Sequence, residues 1–285
     1  MGIALFDAIN VMLGLLFGVI VGFSLGLTGG GGSVFAMPLL VYGLHTPAHQ
    51  AVVISLAAVG VTALAGGLVR WRDGQAEYRI ALIFGLSGVI GAPLGAWLNP
   101  HFPESALLAG FALLMLVVAI RMWRQANRRP EETHIVRAAV STVMENGVKP
   151  TCRYDASGRL RFTSRCAVRL ALAGAATGLV SGLFGVGGGF LIVPALVLIA
   201  ALPIKRAVAT SLWVIAIISG MGVLSHVMVG HGLQSGLTSV FILGGLAGMF
   251  SGMVLGRYIA GPVLQKLFAG MMAAVAVLMF GRLLI

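Results

Sequence analysis

The apolar residues of this chain run in unbroken blocks. They do not alternate as in a half-buried strand or form the stripe of a surface helix. The blocks cover residues 8–27, 34–44, 49–69, 80–98 and 107–120, then 168–183, 190–200, 206–229, 237–255 and 263–284. A helix needs about 20 apolar residues to cross the hydrocarbon of a bilayer. Most blocks reach or approach that length, whereas 34–44 and 190–200 fall well short. The pattern predicts an all-α polytopic membrane protein with two helices too short to span.

Each short block follows a run of glycine. Thr28-Gly29-Gly30-Gly31-Gly32-Ser33 leads to Pro38, and Phe184-Gly185-Val186-Gly187-Gly188-Gly189 leads to Pro194. A shift of 156 residues lays Gly22 on Gly178, Gly26 on Gly182, Gly29 on Gly185 and Pro38 on Pro194. The same shift lays Pro47 on Pro203, Ala51 on Ala207 and Ser55 on Ser211. One unit is duplicated, with a glycine break at the same place in each copy. Glycine costs about 1 kcal/mol per residue in a helix interior, so four in succession predict an unwound segment. Unwound backbone persists at membrane depth only where protein or a water-filled cavity satisfies it, and matched breaks in two halves point to a transport site. In the first copy, either Ser33 caps a half-helix or Pro38 marks its first turn. Gly14, Gly18, Gly22, Gly26 and Gly30 recur every fourth residue and predict close helix packing.

Charge sets the orientation. Only 9% of residues are charged against 59% hydrophobic, which excludes an ordinary soluble domain. The net charge of +11 does not signal nucleic-acid binding, because eleven of the nineteen Lys and Arg lie between Arg121 and Arg169. That segment reads as a cytoplasmic loop of a cell (inner) membrane protein. Threading outward from it puts Arg70, Arg72, Arg79, Lys205, Arg206, Arg257 and Lys266 inside. The loops at 44–49, 99–104 and 230–235 then fall outside without Lys or Arg. Equivalent loops of the two copies lie on opposite sides, so the copies are inverted-topology repeats with glycine-broken helices and the N-terminus outside. The domains are residues 1–124, a linker 125–165, and 166–285. In the linker, 131–146 reads as an amphipathic helix and 153–162 as a small hairpin. The N-terminus lacks the basic region of a signal peptide. Cys152 and Cys166 are expected as reduced thiols with no metal-ligand spacing.

The eight acids are Asp7, Asp73, Glu77, Glu104, Glu131, Glu132, Glu145 and Asp155, and none falls in the middle of a span. This argues against a carboxylate proton relay or a hard-cation site. What the breaks offer is backbone N–H, helix ends and hydroxyls, all of which attract anions. Gly30, Gly31, Gly32, Gly187, Gly188 and Gly189 let a substrate reach the backbone. Thr28, Ser33, Thr210 and Ser211 either donate to its oxygens or bond their own helix carbonyls. His226 and its repeat-equivalent Arg70 are expected to snorkel at the interface. Gly22-Phe23-Ser24-Leu25-Gly26 matches GxSxG but lies in an apolar helix, not at the strand-to-helix turn a nucleophile needs. No P-loop lysine follows either glycine run. No enzyme activity, cofactor or metal is expected.

The paired glycine runs, with Arg206-Ala207-Val208-Ala209-Thr210-Ser211-Leu212 downstream, resemble the sulfite exporter family of the TauE/SafE type. The resemblance spans both apolar halves. It implies a membrane transporter, commonly an exporter, of a small sulfur-containing anion such as sulfite or an organosulfonate (sulfoacetate, for example). Ile54 stands where the second copy has Thr210, a departure from equal copies. The expected partners are the anionic substrate and the lipid bilayer. A different small anion or ion at the same broken-helix site, a channel mode, and a homodimer all stay open.

Overall fold

The structure is a computed structural model. It describes residues 2–71, 76–128, 153–154, 160–161, 164–200, 202, 204–229, 235–256, 270, 273–279 and 281. Among the described residues, the α-helices that carry the fold are α1 (Gly2–Thr28), α2 (Ala48–Trp71), α3 (Tyr78–Leu98) and α4 (Glu104–Arg128) in the first half, then α5 (Ser164–Phe184), α6 (Gly189–Ala200), α7 (Ile204–Met228) and α8 (Ser235–Leu255). Six of them, α1, α2, α3, α5, α7 and α8, are long and apolar enough to cross a membrane.

The helices pair between halves. α1 packs along α8, α3 packs along α5, and α2 crosses α7. Glycine makes the first two contacts possible. A methyl group at Gly18, Gly22 or Gly26 would run into the carbonyl oxygens of Phe241, Gly245 and Met249 on α8. One at Gly174, Gly178 or Gly182 would meet those of Phe84, Gly88 and Ala92 on α3. The backbones therefore touch directly, and without a hydrophobic drive in lipid it is such close packing that holds helices together. α2 and α7 sit innermost: 61% of each span is buried, against 39% for α1 and α8 and 33% for α5.

Several elements differ from the sequence expectation. α4 continues through residue 124 to Arg128, because its last turns, though polar, still alternate helix-forming Arg, Gln and Ala. The short block of the first half is irregular: a 3-10 turn at Gly31–Phe35, a single α-turn at Ala36–Pro38, and a π-turn at Leu39–Gly43. Its counterpart α6 is a continuous twelve-residue helix. Two-residue strands β1 (Arg153–Tyr154) and β2 (Leu160–Arg161) pair antiparallel where the hairpin is expected. Cys166 is buried and disulfide-bonded, not a reduced thiol; nothing in the cysteine spacing signalled pairing. Cys152, the amphipathic stretch 131–146 and most of the block 263–284 lie outside the described residues.

Candidate functional site

α1 and α5 end in the same way. After Thr28 and after Phe184 the chain turns through a glycine of positive φ, Gly29 at 72° and Gly185 at 71°. Gly29 N–H donates to Leu25 O at 2.7 Å, and Gly185 N–H donates to Ser181 O at 2.8 Å. This is the left-handed termination at which an L side chain is strained. The carbonyls left over are then met across the molecule. Ser211 Oγ on α7 donates to Gly29 O at 2.7 Å, and Ser55 Oγ on α2 donates to Gly185 O at 2.6 Å. The neighbours match too: a methyl at Gly29 would press on Val208, and one at Gly185 on Val52. Val52 and Val208, like Ser55 and Ser211, stand 156 residues apart. Each half thus supplies the serine and valine that seat the other half's helix end.

Beyond these caps the two glycine runs meet. A methyl at Gly30 would lie 2.6 Å from Gly189 C, and one at Gly189 2.7 Å from Gly30 Cα. Backbone lies against backbone there, deep between α1, α5, α2 and α7. The second run turns again at Gly187 and Gly188, φ 68° and 67°, before α6 begins. Three of the expected glycines are placed by their neighbours. Gly31 opens the 3-10 turn. Gly32 lies against Ser24 and Leu25 of α1, and Gly188 against Thr177 of α5.

The hydroxyls are engaged with backbone. Thr28 Oγ1 donates to Ser24 O at 2.8 Å, on its own helix. Ser33 Oγ donates to Gly30 O at 2.8 Å, so Ser33 does not act as the acceptor cap of the following helix. Ser211 Oγ also lies 2.8 Å from Val208 O. Thr210 Oγ1 accepts from Glu77 N–H at 3.0 Å, and the Glu77 carboxylate in turn pairs with Arg206 at 3.1 Å. Among the described residues, the serine and threonine hydroxyls buried without a hydrogen-bond partner are those of Ser181 and Ser219. The sequence reading did not single them out. No described group of three His, Cys, Asp or Glu could hold a metal.

Two polar positions depart from the expected snorkelling. His226 is fully buried, its Nδ1 2.9 Å from Gly222 O. Arg70 turns inward and donates from Nη2 to Gly26 O at 3.2 Å, near the carbonyl end of α1, where a cation is favoured. At the opposite end of the α2–α7 pair, fully buried Asn99 donates from Nδ2 to Leu183 O at 2.8 Å. Its Oδ1 lies 2.6 Å from His49 Nδ1. The Glu104 carboxylate accepts from Ala48 N–H at 3.0 Å.

Residues 14–279 match the family model described as sulfite exporter TauE/SafE. A probable membrane transporter protein of Xylella fastidiosa (strain Temecula1) is 34% identical over 270 residues, which cover 93% of each chain. The probable membrane transporter protein YunE of Bacillus subtilis is 31% identical over 230 residues, covering 78% of this chain and 79% of that one. A probable membrane transporter protein of Methanocaldococcus jannaschii is 27% identical over 218 residues. No solved structure matches the chain significantly.

Proposed function

The chain belongs to the sulfite exporter TauE/SafE family of membrane transporters, and from that premise we propose that it exports sulfite or a small organosulfonate such as sulfoacetate. The observation that carries the proposal is the junction of Gly30 with Gly189, where the two glycine turns meet backbone to backbone. Such a place offers N–H donors and the positive end of α6 to an anion. Residues 1–124 and 166–285 act as inverted repeats joined by the linker 125–165. The junction is the fixed point about which they rock in alternating access. The reciprocal capping by Ser55 and Ser211 supports a two-fold relation, and the placement of Lys and Arg supports a cytoplasmic linker in the inner membrane. The site residues in this reading are Thr28, Gly30, Gly31, Gly32, Ser33, Gly187, Gly188, Gly189, Thr210 and Ser211. Neutral donors bind an anion modestly, which suits a carrier that must release its cargo.

The test is thermal stabilisation of the purified protein by sulfite, sulfoacetate and an inorganic cation, measured side by side. A ligand at 100 times its Kd stabilises the folded state by about 2.7 kcal/mol. Saturable stabilisation by sulfite or sulfoacetate supports the proposal. Stabilisation by the cation alone removes it.

A further inference from the structure

Serine and threonine inside a helix settle their hydroxyls on the carbonyl three or four residues back. This chain does so repeatedly: Thr177 Oγ1 bonds Ala173 O, Ser225 Oγ bonds Met221 O, and Ser251 Oγ bonds Gly248 O. Ser181 on α5 and Ser219 on α7 do not. Both are fully buried, and both Oγ atoms are without a hydrogen-bond partner. Burying a hydroxyl that way is unfavourable unless something else comes to meet it.

The two serines flank one turn. A methyl at Gly187 would lie 3.0 Å from Ser219 Oγ, and one at Gly188 would lie 3.7 Å from Ser181 Cβ. Gly187 and Gly188 carry the left-handed turn that opens α6. Leu191 and Ile192 donate their N–H groups back to Gly188 O, at 3.0 and 3.1 Å. The N–H groups of Gly189 and Phe190 precede the first intrahelical bond and have no acceptor within α6. The first half has no such arrangement. Leu25 and Ala63 stand 156 residues before Ser181 and Ser219, and the chain after Gly31 makes no long helix.

We propose that Ser181 and Ser219, with the N-terminus of α6 at the second glycine turn, bind the oxyanion group of the transported anion. The proposal rests on the anion-transport reading above and narrows it to two hydroxyls. Two O–H donors beside a helix N-terminus suit a sulfonate or sulfite group, whose oxygens accept but do not donate. Gly187 and Gly188 hold positive φ, and a methyl on either would collide with Val59 or Thr177.

The experiment uses the full chain purified in detergent and reconstituted in liposomes, with sulfite as the probe. Ser181→Ala, Ser219→Ala and the double variant are compared with wild type and with Ser225→Ala, a control on α7 whose hydroxyl is already spent on its own helix. Each single variant is expected to raise the KM for sulfite about tenfold, the scale of a hydrogen bond lost from a charged acceptor. The melting temperature without ligand is expected to hold or rise, since each change removes an unmet donor. A purely structural role would lower the melting temperature and leave KM alone. Ser225→Ala is expected to keep the wild-type KM. Saturable wild-type flux with a double variant within twofold of it in KM overturns this assignment and leaves the transport reading standing. Absence of any anion flux in wild type overturns both.

Discussion

Gly185→Ala is the substitution that most sharply probes how the two halves seat one another. Gly185 holds φ at 71°. An alanine there adopts the left-handed region at a cost of roughly 1–2 kcal/mol. Its methyl would also lie 2.5 Å from Val52 Cα and 2.9 Å from Val52 Cβ. The nearest obstacle is backbone, so relief requires α2 to move, and overpacking of that kind costs typically 1–3 kcal/mol. The two effects together predict a loss of about 2–5 kcal/mol. Gly29→Ala meets the Val208 side chain first, with Val208 Cα at 3.0 Å, and is predicted to lose the same or somewhat less. Gly220→Ala is the contrast: it lies within α7 and no atom surrounds its added methyl within 4 Å. There the helix propensity of alanine predicts a gain of up to about 1 kcal/mol. Intrinsic tryptophan fluorescence during heating in detergent ranks the three. A Gly185→Ala protein that melts at or above Gly220→Ala would refute the tight cap described for α5.

Asn99→Ala removes the donor to Leu183 O and the partner of His49 from a fully buried position. It should lower stability by about 1–3 kcal/mol, measured in the same heating assay, and an unchanged melting temperature would contradict it. Single cysteines introduced at Pro47 and Pro100, both exposed, should react with an impermeant thiol reagent from outside once Cys152 and Cys166 are replaced. Cysteines at Arg79 and Ser164, also exposed, should not. A cysteine at Pro203, the repeat-equivalent of Pro47, should stay unlabelled from outside. Labelling of both Pro47 and Pro203 would make the halves parallel. Gly22→Leu should disrupt packing of α1 on α8, because Gly245 backbone occupies the space a side chain would need. Its expected sign is loss of the folded peak in size-exclusion chromatography, and a normal peak would count against the helix pairing.

Length and apolarity located the spanning helices, since a block of about 20 apolar residues has few options in a bilayer, but not the polar last turns of α4 or the irregular chain after Gly31. The ends of α1 and α5 fall at Thr28 and Phe184, beside the glycine runs that mark them in the sequence. The shift of 156 residues was also visible. Its consequence was not: Ser55 and Ser211 reach across to the carbonyls of Gly185 and Gly29. Sequence offers no sign of which buried serine spends its hydroxyl on a distant carbonyl and which on its own helix. Ser181 and Ser219 escaped notice for the same reason, being single serines in apolar helices where back-bonding is the ordinary outcome. Ser33 looked like an acceptor cap, yet the chain tightens into a 3-10 turn and aims the hydroxyl at Gly30 O. His226 and Arg70 read as interfacial from their places near helix ends. Tertiary packing buries the first and turns the second onto Gly26 O.

The central claim is that this membrane transporter moves a small sulfur oxyanion or sulfonate through the junction of its two glycine turns. The most direct test is flux in proteoliposomes loaded in turn with sulfite, sulfoacetate and an inorganic cation, using wild type beside Gly188→Leu. Gly188 holds φ at 67° and faces Thr177 Cγ2 at 2.5 Å from an added methyl, so leucine fills the turn. The account predicts saturable sulfite or sulfoacetate flux in wild type, none in Gly188→Leu, and no cation flux in either. Saturable cation flux without an anion response, or full anion flux in Gly188→Leu, would contradict it.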